Sequence, residues 1–221
     1  MKIAILGGTG PEGQGLGMRW AAAGHEVLVG SRDAERGAQA AAEMNGLLPA
    51  SAATVRGSNN LAVAESAEVI VLSVPYKAQE PTLASVASAL QGKLLITVVA
   101  PLQPPKVSHV WLPPAGSAAQ EAQQQLGEDV TFVAAFQNIS AVLLKELDQD
   151  VDSDVLICGD DQPGKEVAAE LARAAGLRPI DSGPLQNASV VEGLTAILIG
   201  INKRNKIKHS GIRITGLPDG A

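Results

Sequence analysis

Short apolar runs that end in glycine or proline recur along the chain and predict strands buried on both faces of a parallel sheet. The first run covers residues 3–6 and is followed by Gly7 and Gly8, and the second covers residues 26–29. Runs of the same kind cover residues 69–74, 94–99, 130–134 and 154–158. Amphipathic stretches separate several of them, so the predicted fold class is α/β, with a Rossmann-like, doubly wound and mainly parallel sheet.

The helical stretches are recognised by the spacing of their apolar residues and by the residues that start or stop helices. They cover residues 12–23, 33–44, 163–174 and 189–205. Residues 103–117 contain four prolines and interrupt the alternation, which predicts an irregular excursion. The last helix is strongly apolar, and for this reason we expect a homodimer.

The composition narrows the function classes. The chain of 221 residues has 17 basic and 23 acidic residues, a formal net charge of −6, and its aromatic residues are two Trp, one Tyr and two Phe. These values argue against a nucleic-acid-binding surface. No apolar run is long enough to cross a bilayer, so we expect no membrane association. The single cysteine, Cys158, excludes a disulfide framework and fits a reducing cytoplasmic location.

A glycine-rich segment follows the first predicted strand and opens the first predicted helix. Gly8, Gly10 and Gly13 match the dinucleotide-binding pattern G-x-G-x-x-G. The first glycine makes the tight turn, the second lets the backbone approach a pyrophosphate, and the third lets the helix pack closely on the strand. The helix N-terminus adds unpaired N–H groups and a positive dipole end. The segment therefore predicts a dinucleotide site.

The end of the second strand distinguishes NAD from NADP. An NAD site needs a carboxylate there for the ribose 2′-hydroxyl, and that carboxylate would repel a 2′-phosphate. Ser31 and Arg32 stand at this point instead, and Arg36 follows one helical turn later. A hydroxyl and two guanidinium groups favour a phosphate, so the predicted cofactor is NADP. We interpret the adjacent Asp33 as the N-cap of the next helix.

Polar residues follow the run at 130–134, where ligands of a doubly wound sheet lie. Gln137, Asn138 and Ser140 can bond a carbonyl or ring nitrogen of a substrate, or they can cap the next helix. The sequence leaves both interpretations open.

No side chain is predicted to act as a catalytic acid or base. Asp160 and Asp161 invite an acid–base interpretation, but Pro163 and the helical run behind it favour helix capping. None of the three histidines has a partner at the spacing of a metal site or a catalytic triad, so no metal site is predicted. This favours direct hydride transfer to another ring-shaped acceptor.

Taken together, these segments resemble the F420-dependent NADP reductase family over nearly the whole chain. The matching segments are 2–10, 24–27, 29–32, 74–76, 158–161 and 177–185, followed by Glu192, Leu194 and Thr195. The resemblance implies an NADP-binding Rossmann-like domain at residues 1–140 and a small C-terminal part at 141–221 that closes the substrate cleft. It also implies an oxidoreductase that transfers hydride between NADP(H) and the deazaflavin coenzyme F420, two small-molecule cofactor substrates.

The resemblance assigns site residues by position. It implies that NADP is held by the phosphate loop and by residues after the second strand, namely Gly8, Thr9, Gly10, Pro11, Glu12, Gly13, Ser31, Arg32 and Arg36. It implies that the nicotinamide is flanked by Val74, Ala100 and Ala141, and that the deazaflavin is faced by Gln137, Ile139, Ser140 and Thr195. Many family members carry histidine at the position of Gln137 and proline at that of Ser140. Pro11 and Glu12 replace a more usual small polar or leucine pair.

Two other functions stay open at the level of the sequence. One is NADPH-dependent reduction of another acceptor, such as a flavin, a ferric chelate or a small carbonyl compound. A carbonyl reductase needs a proton donor, for which Lys145 and Tyr76 are the nearby candidates. The other is a non-catalytic, NADP-sensing regulatory protein that binds the cofactor without turnover.

Overall fold

The computed structural model describes residues 1–217 and contains an eight-stranded sheet with helices on both faces. The strands are β1 (Lys2–Leu6), β2 (Glu26–Ser31), β3 (Arg56–Asn59), β4 (Val69–Leu72), β5 (Leu94–Thr97), β6 (Thr131–Ala134), β7 (Asp154–Gly159) and β8 (Arg178–Asp181). The helices are α1 (Pro11–Ala22), α2 (Ala34–Leu47), α3 (Asn60–Glu65), α4 (Gln79–Leu90), α5 (Ala118–Leu126), α6 (Ala141–Lys145), α7 (Gln162–Ala174) and α8 (Ala188–Asn205). Two short 3-10 helices cover Tyr76–Ala78 and Leu185–Asn187.

The strand order is β3-β2-β1-β4-β5-β6-β7-β8, and all neighbours are parallel except β6 and β7. Ile3 of β1 pairs with Val27 of β2 on one side and with Val69 of β4 on the other. The direction of winding therefore reverses at β1, which makes the edge between β1 and β4 the topological switch point where ligands bind in such sheets. The predicted α/β, Rossmann-like class is confirmed.

Two strands and four helices were not predicted from the sequence, namely β3, β8, α3, α4, α5 and α6. β3 reads Arg-Gly-Ser-Asn and lies at one sheet edge, and β8 contains Pro179 and lies at the other. An edge strand is not buried on both faces, so it has no apolar run, and it tolerates a proline that would remove a hydrogen bond inside a sheet. α3 has six residues, too few to show a helical period.

The sheet continues past residue 140. β7 joins it antiparallel to β6, with Val133 opposite Gly159, and β8 then pairs parallel with β7. Residue 140 lies in the connection where the strand direction reverses. Of the residues described here, none belongs to a helix that is long and apolar enough to span a membrane.

Arg19 of α1 fixes the segment that follows β6. Its side chain is 7% exposed and donates hydrogen bonds of 2.8–3.0 Å to five carbonyl oxygens. These oxygens belong to Leu143, Leu144, Glu146, Gln149 and Ala175. A single buried guanidinium therefore holds α6, the loop behind it and the end of α7 against α1.

We expect Arg19→Ala to destabilise the protein by on the order of 3 kcal/mol, because it leaves several buried carbonyl groups without a donor. Urea unfolding followed by circular dichroism measures the change. Arg173→Ala removes an exposed arginine of α7 and is the matched control, with an expected change within about 0.5 kcal/mol. Equal losses in the two variants would contradict the role given to Arg19.

Candidate functional site: a phosphate loop and a cationic cavity

The glycine-rich loop between β1 and α1 makes its tight turn at Gly7. Gly7 has a φ of +68° and its N–H donates to Asn60 Oδ1 at 3.1 Å. The turn was expected at Gly8, so the prediction is one residue late. Gly8 is needed for a different reason: a Cβ there would lie 2.9 Å from the carbonyl oxygen of Ile5.

Gly13 and Gly10 have different tasks in this loop. A Cβ on Gly13 would lie 2.7 Å from the Cα of Gly8, so its absence lets α1 approach the loop, as predicted. A Cβ on Gly10 would meet only the carbonyl oxygen of Gly7, at 3.8 Å. Since the protein's own packing does not require a glycine at position 10, the open space there suits a ligand that approaches the backbone.

The N-terminus of α1 is open toward this space. Gly10 is the N-cap residue, Pro11 is the first helical residue, and no side chain within residues 1–217 caps the helix. The first-turn N–H groups and the positive end of the helix dipole are therefore available to an anion.

A cavity of about 990 Å³ lies beside the loop at the β1–β4 switch point. Seven of the predicted cofactor residues or their direct neighbours line it: Gly7, Thr9, Gly10, Ser31, Arg32, Arg36 and Val74. The structure thus brings together the loop, the end of β2 and the end of β4, which are distant in the sequence.

The end of β2 presents cations rather than an acid. Ser31 is 5% exposed, whereas the side chains of Arg32 and Arg36 are exposed at the cavity. Asp33 Oδ1 accepts a hydrogen bond of 3.0 Å from the N–H of Arg36, so the capping interpretation of Asp33 is confirmed. Because this carboxylate is used as a helix cap, the basic groups are left to face an anionic ligand.

The opposite wall of the cavity is tied to α5. Tyr76 donates its hydroxyl to Glu121 Oε2 at 2.6 Å, and Gln79 Nε2 donates to the carbonyl oxygen of Ala118 at 2.8 Å. Glu192 of α8 is buried and accepts hydrogen bonds from the N–H groups of Ala118 and Ala119, at 2.7 and 2.9 Å. Burial raises the pKa of Glu192 to about 7 although these two bonds favour its ionised form.

The predicted second half of the site lies beyond β5 and β6, outside the lining of this cavity. Ala100 and Ala141 are half-buried at the end of β5 and the start of α6. Gln137 is 6% exposed, and its side-chain Nε2 donates to the carbonyl oxygen of Thr97 at 2.8 Å. The backbone carbonyl oxygen of Gln137 accepts a hydrogen bond from Thr195 Oγ1 at 2.7 Å. Since the oxygen of Thr97 can only accept, Gln137 must turn its Oε1 the other way, and this buried oxygen has no partner among residues 1–217.

The neighbours of Gln137 are used differently. Asn138 donates to the carbonyl oxygen of Asp154 at 2.8 Å, so its amide supports the fold. Ile139 is buried, and Ser140 stands at the N-cap position of α6 without a side-chain cap bond. Phe136 adopts a φ of +73°, and its ring packs edge-on against Trp20 at 5.8 Å. A non-glycine residue in this region is strained, and such strain concentrates at functional sites.

Comparisons with known proteins identify the family. A family model described as a coenzyme F420-dependent NADP oxidoreductase matches residues 2–101. The F420-dependent NADP reductase of Methanothermobacter thermautotrophicus is 43% identical over 227 residues, which covers 99% of this chain and 97% of the relative. The chain belongs to the F420-dependent NADP reductase family. The reductase of Methanothermobacter marburgensis is 44% identical and covers 99% of this chain and 100% of the relative.

A solved structure extends the likeness to the whole fold. The crystal structure of a protein from Arthrobacter sp. FB24, provisionally assigned as an F420-dependent NADP reductase, aligns with a TM-score of 0.82. The alignment covers 97% of this chain and 99% of that chain at 26% identity. The family resemblance stated from the sequence is therefore confirmed.

Glu12 is the acidic residue of the glycine-rich loop. Its Oε1 is buried and has no hydrogen-bond partner among residues 1–217. Burial raises the pKa of Glu12 to about 8, which favours the neutral form of its carboxyl group at pH 7. An ionised carboxylate would repel a nearby diphosphate, whereas a neutral carboxyl group does not.

Asp160 and Asp161, which follow β7, both accept hydrogen bonds from backbone N–H groups. Asp161 Oδ2 accepts from the N–H of Gly164 at 2.7 Å and caps α7, and Asp160 Oδ1 accepts from the N–H of Leu185 at 3.1 Å. The capping interpretation is therefore confirmed for Asp161.

Lys145 and Tyr76, the two candidate proton donors for a carbonyl reductase, both donate their hydrogen bonds to other side chains of the protein. Lys145 Nζ donates to Gln14 Oε1 at 2.6 Å, and burial raises the pKa of Tyr76 beyond its usual range, with its hydroxyl donated to Glu121.

Sequence reasoning missed several residues that line the cavity. Asn59 caps α3 through Ala62 N–H, Asn60 holds Gly7, and Lys77 and Thr82 belong to the wall after β4. The two asparagines follow the edge strand β3, which has no apolar signal. The signal that was available is the Asn-Asn pair itself, since asparagine is a strong N-cap residue.

Gly10→Ala separates ligand binding from folding. We expect stability to change by no more than about 0.5 kcal/mol, because the new Cβ has room. We expect the affinity for NADP to fall at least about tenfold, because a diphosphate that approaches the backbone at Gly10 would meet the new Cβ. Thermal unfolding and titration calorimetry measure the two effects.

Gly13→Ala is the matched control for this variant. Its Cβ would collide with the Cα of Gly8, so we expect a destabilisation on the order of 2 kcal/mol. Unchanged NADP affinity in Gly10→Ala would exclude position 10 from the binding site.

Proposed function

We propose that this protein is an NADPH-dependent oxidoreductase that transfers hydride between NADP(H) and coenzyme F420. The observation that carries the proposal is the cavity at the switch point, which joins an open helix N-terminus to Arg32 and Arg36, in a chain that is 43–44% identical to named F420-dependent NADP reductases. Phosphate recognition by backbone N–H groups and guanidinium groups explains the choice of residues.

The residues of the chain would divide the work by position. The open N-terminus of α1 and the backbone at Gly10 would hold the pyrophosphate, and Ser31, Arg32 and Arg36 the 2′-phosphate. Thr9 and Pro11 complete this half together with Glu12, whose pKa is raised by burial. Gly8 and Gly13 serve the site indirectly, since they let the loop and α1 pack closely.

The second ring would lie beyond β5 and β6. We propose that Val74, Ala100 and Ala141 flank the nicotinamide and that Gln137, Ile139, Ser140 and Thr195 face the deazaflavin. Their rigid setting supports this, because the Thr97 carbonyl and the Thr195 hydroxyl fix Gln137 from two sides and Arg19 fixes the segment after Ser140.

The reaction requires the two cofactor rings to be positioned against each other, and it requires no proton transfer by a side chain. When bound, the two cofactors supply the hydride donor and acceptor carbons themselves. The side chains around them hold the rings in contact and exclude water, and this is how a site without a catalytic acid or base accelerates the step.

We propose a division of the chain into an NADP-binding part, residues 1–140, and a small C-terminal part, residues 141–221, whose helices α6 and α8 close the cleft. We also propose a homodimer formed through the outer face of α8. Val190 and Ile197 are seven residues apart, so they lie on the same face of this helix, and they are 67% and 44% exposed. Analytical ultracentrifugation measures the oligomeric state, and a monomer at micromolar concentration would contradict the dimer.

Mixing the purified protein with NADPH and oxidised F420 tests the activity. We expect the visible absorbance of oxidised F420 to disappear at a rate proportional to enzyme, and Gly10→Ala to abolish most of it. Binding of NADPH without any F420 reduction across the pH range would sink the proposal. A parallel reaction with flavin or ferric chelate then distinguishes another acceptor from an NADP sensor without turnover.

Arg32→Ala tests the choice of NADP over NAD. We expect the dissociation constant for NADP to rise about 30-fold, or about 2 kcal/mol, because a charge-assisted contact to the 2′-phosphate is lost, and that for NAD to stay within about twofold. Titration calorimetry with both nucleotides gives the two constants. Equal losses for NADP and NAD would refute the assignment of Arg32 to the 2′-phosphate.

A further inference from the structure

Lys77 lies in the cavity wall formed by the connection after β4, opposite the residues that follow β2. The lining of the cavity includes three basic side chains: Arg32 and Arg36 from the connection after β2, and Lys77 from the connection after β4. No acidic side chain of residues 1–217 belongs to this lining. In a chain with a net charge of −6, a cavity that gathers cations alone points to an anionic ligand contacted from both walls.

The neighbours of Lys77 explain why its side chain is left free. Tyr76 and Gln79 are both hydrogen-bonded to α5, through Glu121 and the carbonyl oxygen of Ala118. The backbone at Lys77 is therefore held firmly from the far side of the wall, while its own side chain is exposed. A long, flexible stem on a fixed backbone suits a lysine that reaches a phosphate as a point charge.

An acidic surface lies on the other side of Lys77. A smaller depression of about 390 Å³ is bordered by Lys77 and by Glu80 and Glu121. Lys77 forms no ion pair with either carboxylate within 4.0 Å in the described part of the chain, and Glu121 already accepts the Tyr76 hydroxyl. The ammonium group is thus unpaired at the rim of the cavity.

We propose that Lys77 is a third phosphate-binding cation, which pairs with a phosphate of NADP from the wall opposite Arg32 and Arg36. This inference rests on the proposed function and adds a binding determinant to it. The chemistry is a charge-assisted contact between an ammonium group and a phosphate monoester or diester, so the 2′-phosphate and the pyrophosphate are the two sources to distinguish.

Titration calorimetry on Lys77→Ala tests the inference, with NADP, NAD, adenosine 2′,5′-bisphosphate and ADP as ligands. We expect the dissociation constant for NADP to rise about tenfold relative to the wild-type protein. Lys77→Arg should restore the affinity to within about threefold, because the charge returns, and the loss should shrink at high salt. Lys106→Ala, which removes an exposed lysine outside the cavity, is the matched control and should bind like the wild type.

The four ligands identify the phosphate. A loss for NADP and adenosine 2′,5′-bisphosphate, with NAD and ADP unchanged, assigns Lys77 to the 2′-phosphate. A similar loss for NADP, NAD and ADP assigns it to the pyrophosphate.

Two results would overturn the inference and are distinguishable from each other. If Lys77→Ala binds all four ligands as tightly as the wild type while Arg32→Ala weakens NADP, Lys77 has no part in binding and the proposed function stands. If the wild-type protein binds none of the four ligands, the inference and the proposed function fail together. Circular dichroism of each variant shows that the comparison is made on folded protein.

Discussion

The close approach of α1 to the loop after β1 is the contact on which the site depends. Because Gly13 has no Cβ, the backbone of α1 packs directly against Gly8. Gly8 in turn packs against the carbonyl oxygen of Ile5. These two missing side chains set the height of the helix N-terminus above the sheet edge. The cavity, the open N–H groups and the position of the cationic wall all follow from that height, because the switch point at β1 brings the ends of β2 and β4 alongside.

The fold was readable from the sequence wherever a strand is buried on both faces. The six predicted strands are present, with ends shifted by no more than two residues, because continuous apolar runs have few alternatives in a doubly wound domain. β3 and β8 were missed because edge strands bury less and need no such run. The antiparallel entry of β7 was missed as well, since nothing in an apolar run records its direction.

The candidate site was predictable to the extent that it is local. The glycine pattern, Ser31 and Arg32 are contiguous with strong strands, so their place in the fold followed directly. Lys77 and Asn60 reach the same cavity through contacts over long sequence distances, which only the folded chain brings together. The sequence shows an acidic residue, Glu12, in the glycine-rich segment, but it does not reveal the burial that raises the pKa of this residue.

α8 is hydrogen-bonded both to the start of α5 and to the loop after β6. Through Glu192 it holds the start of α5, to which Tyr76 and the cofactor wall are tied, and through Thr195 it holds the backbone of Gln137. Any binding event that shifts this helix along its axis would move the cavity wall after β4 and the loop after β6 together. Under thermodynamic linkage such a shared support makes the two substrates influence one another's affinity equally, so cooperation between them would arise without any direct contact.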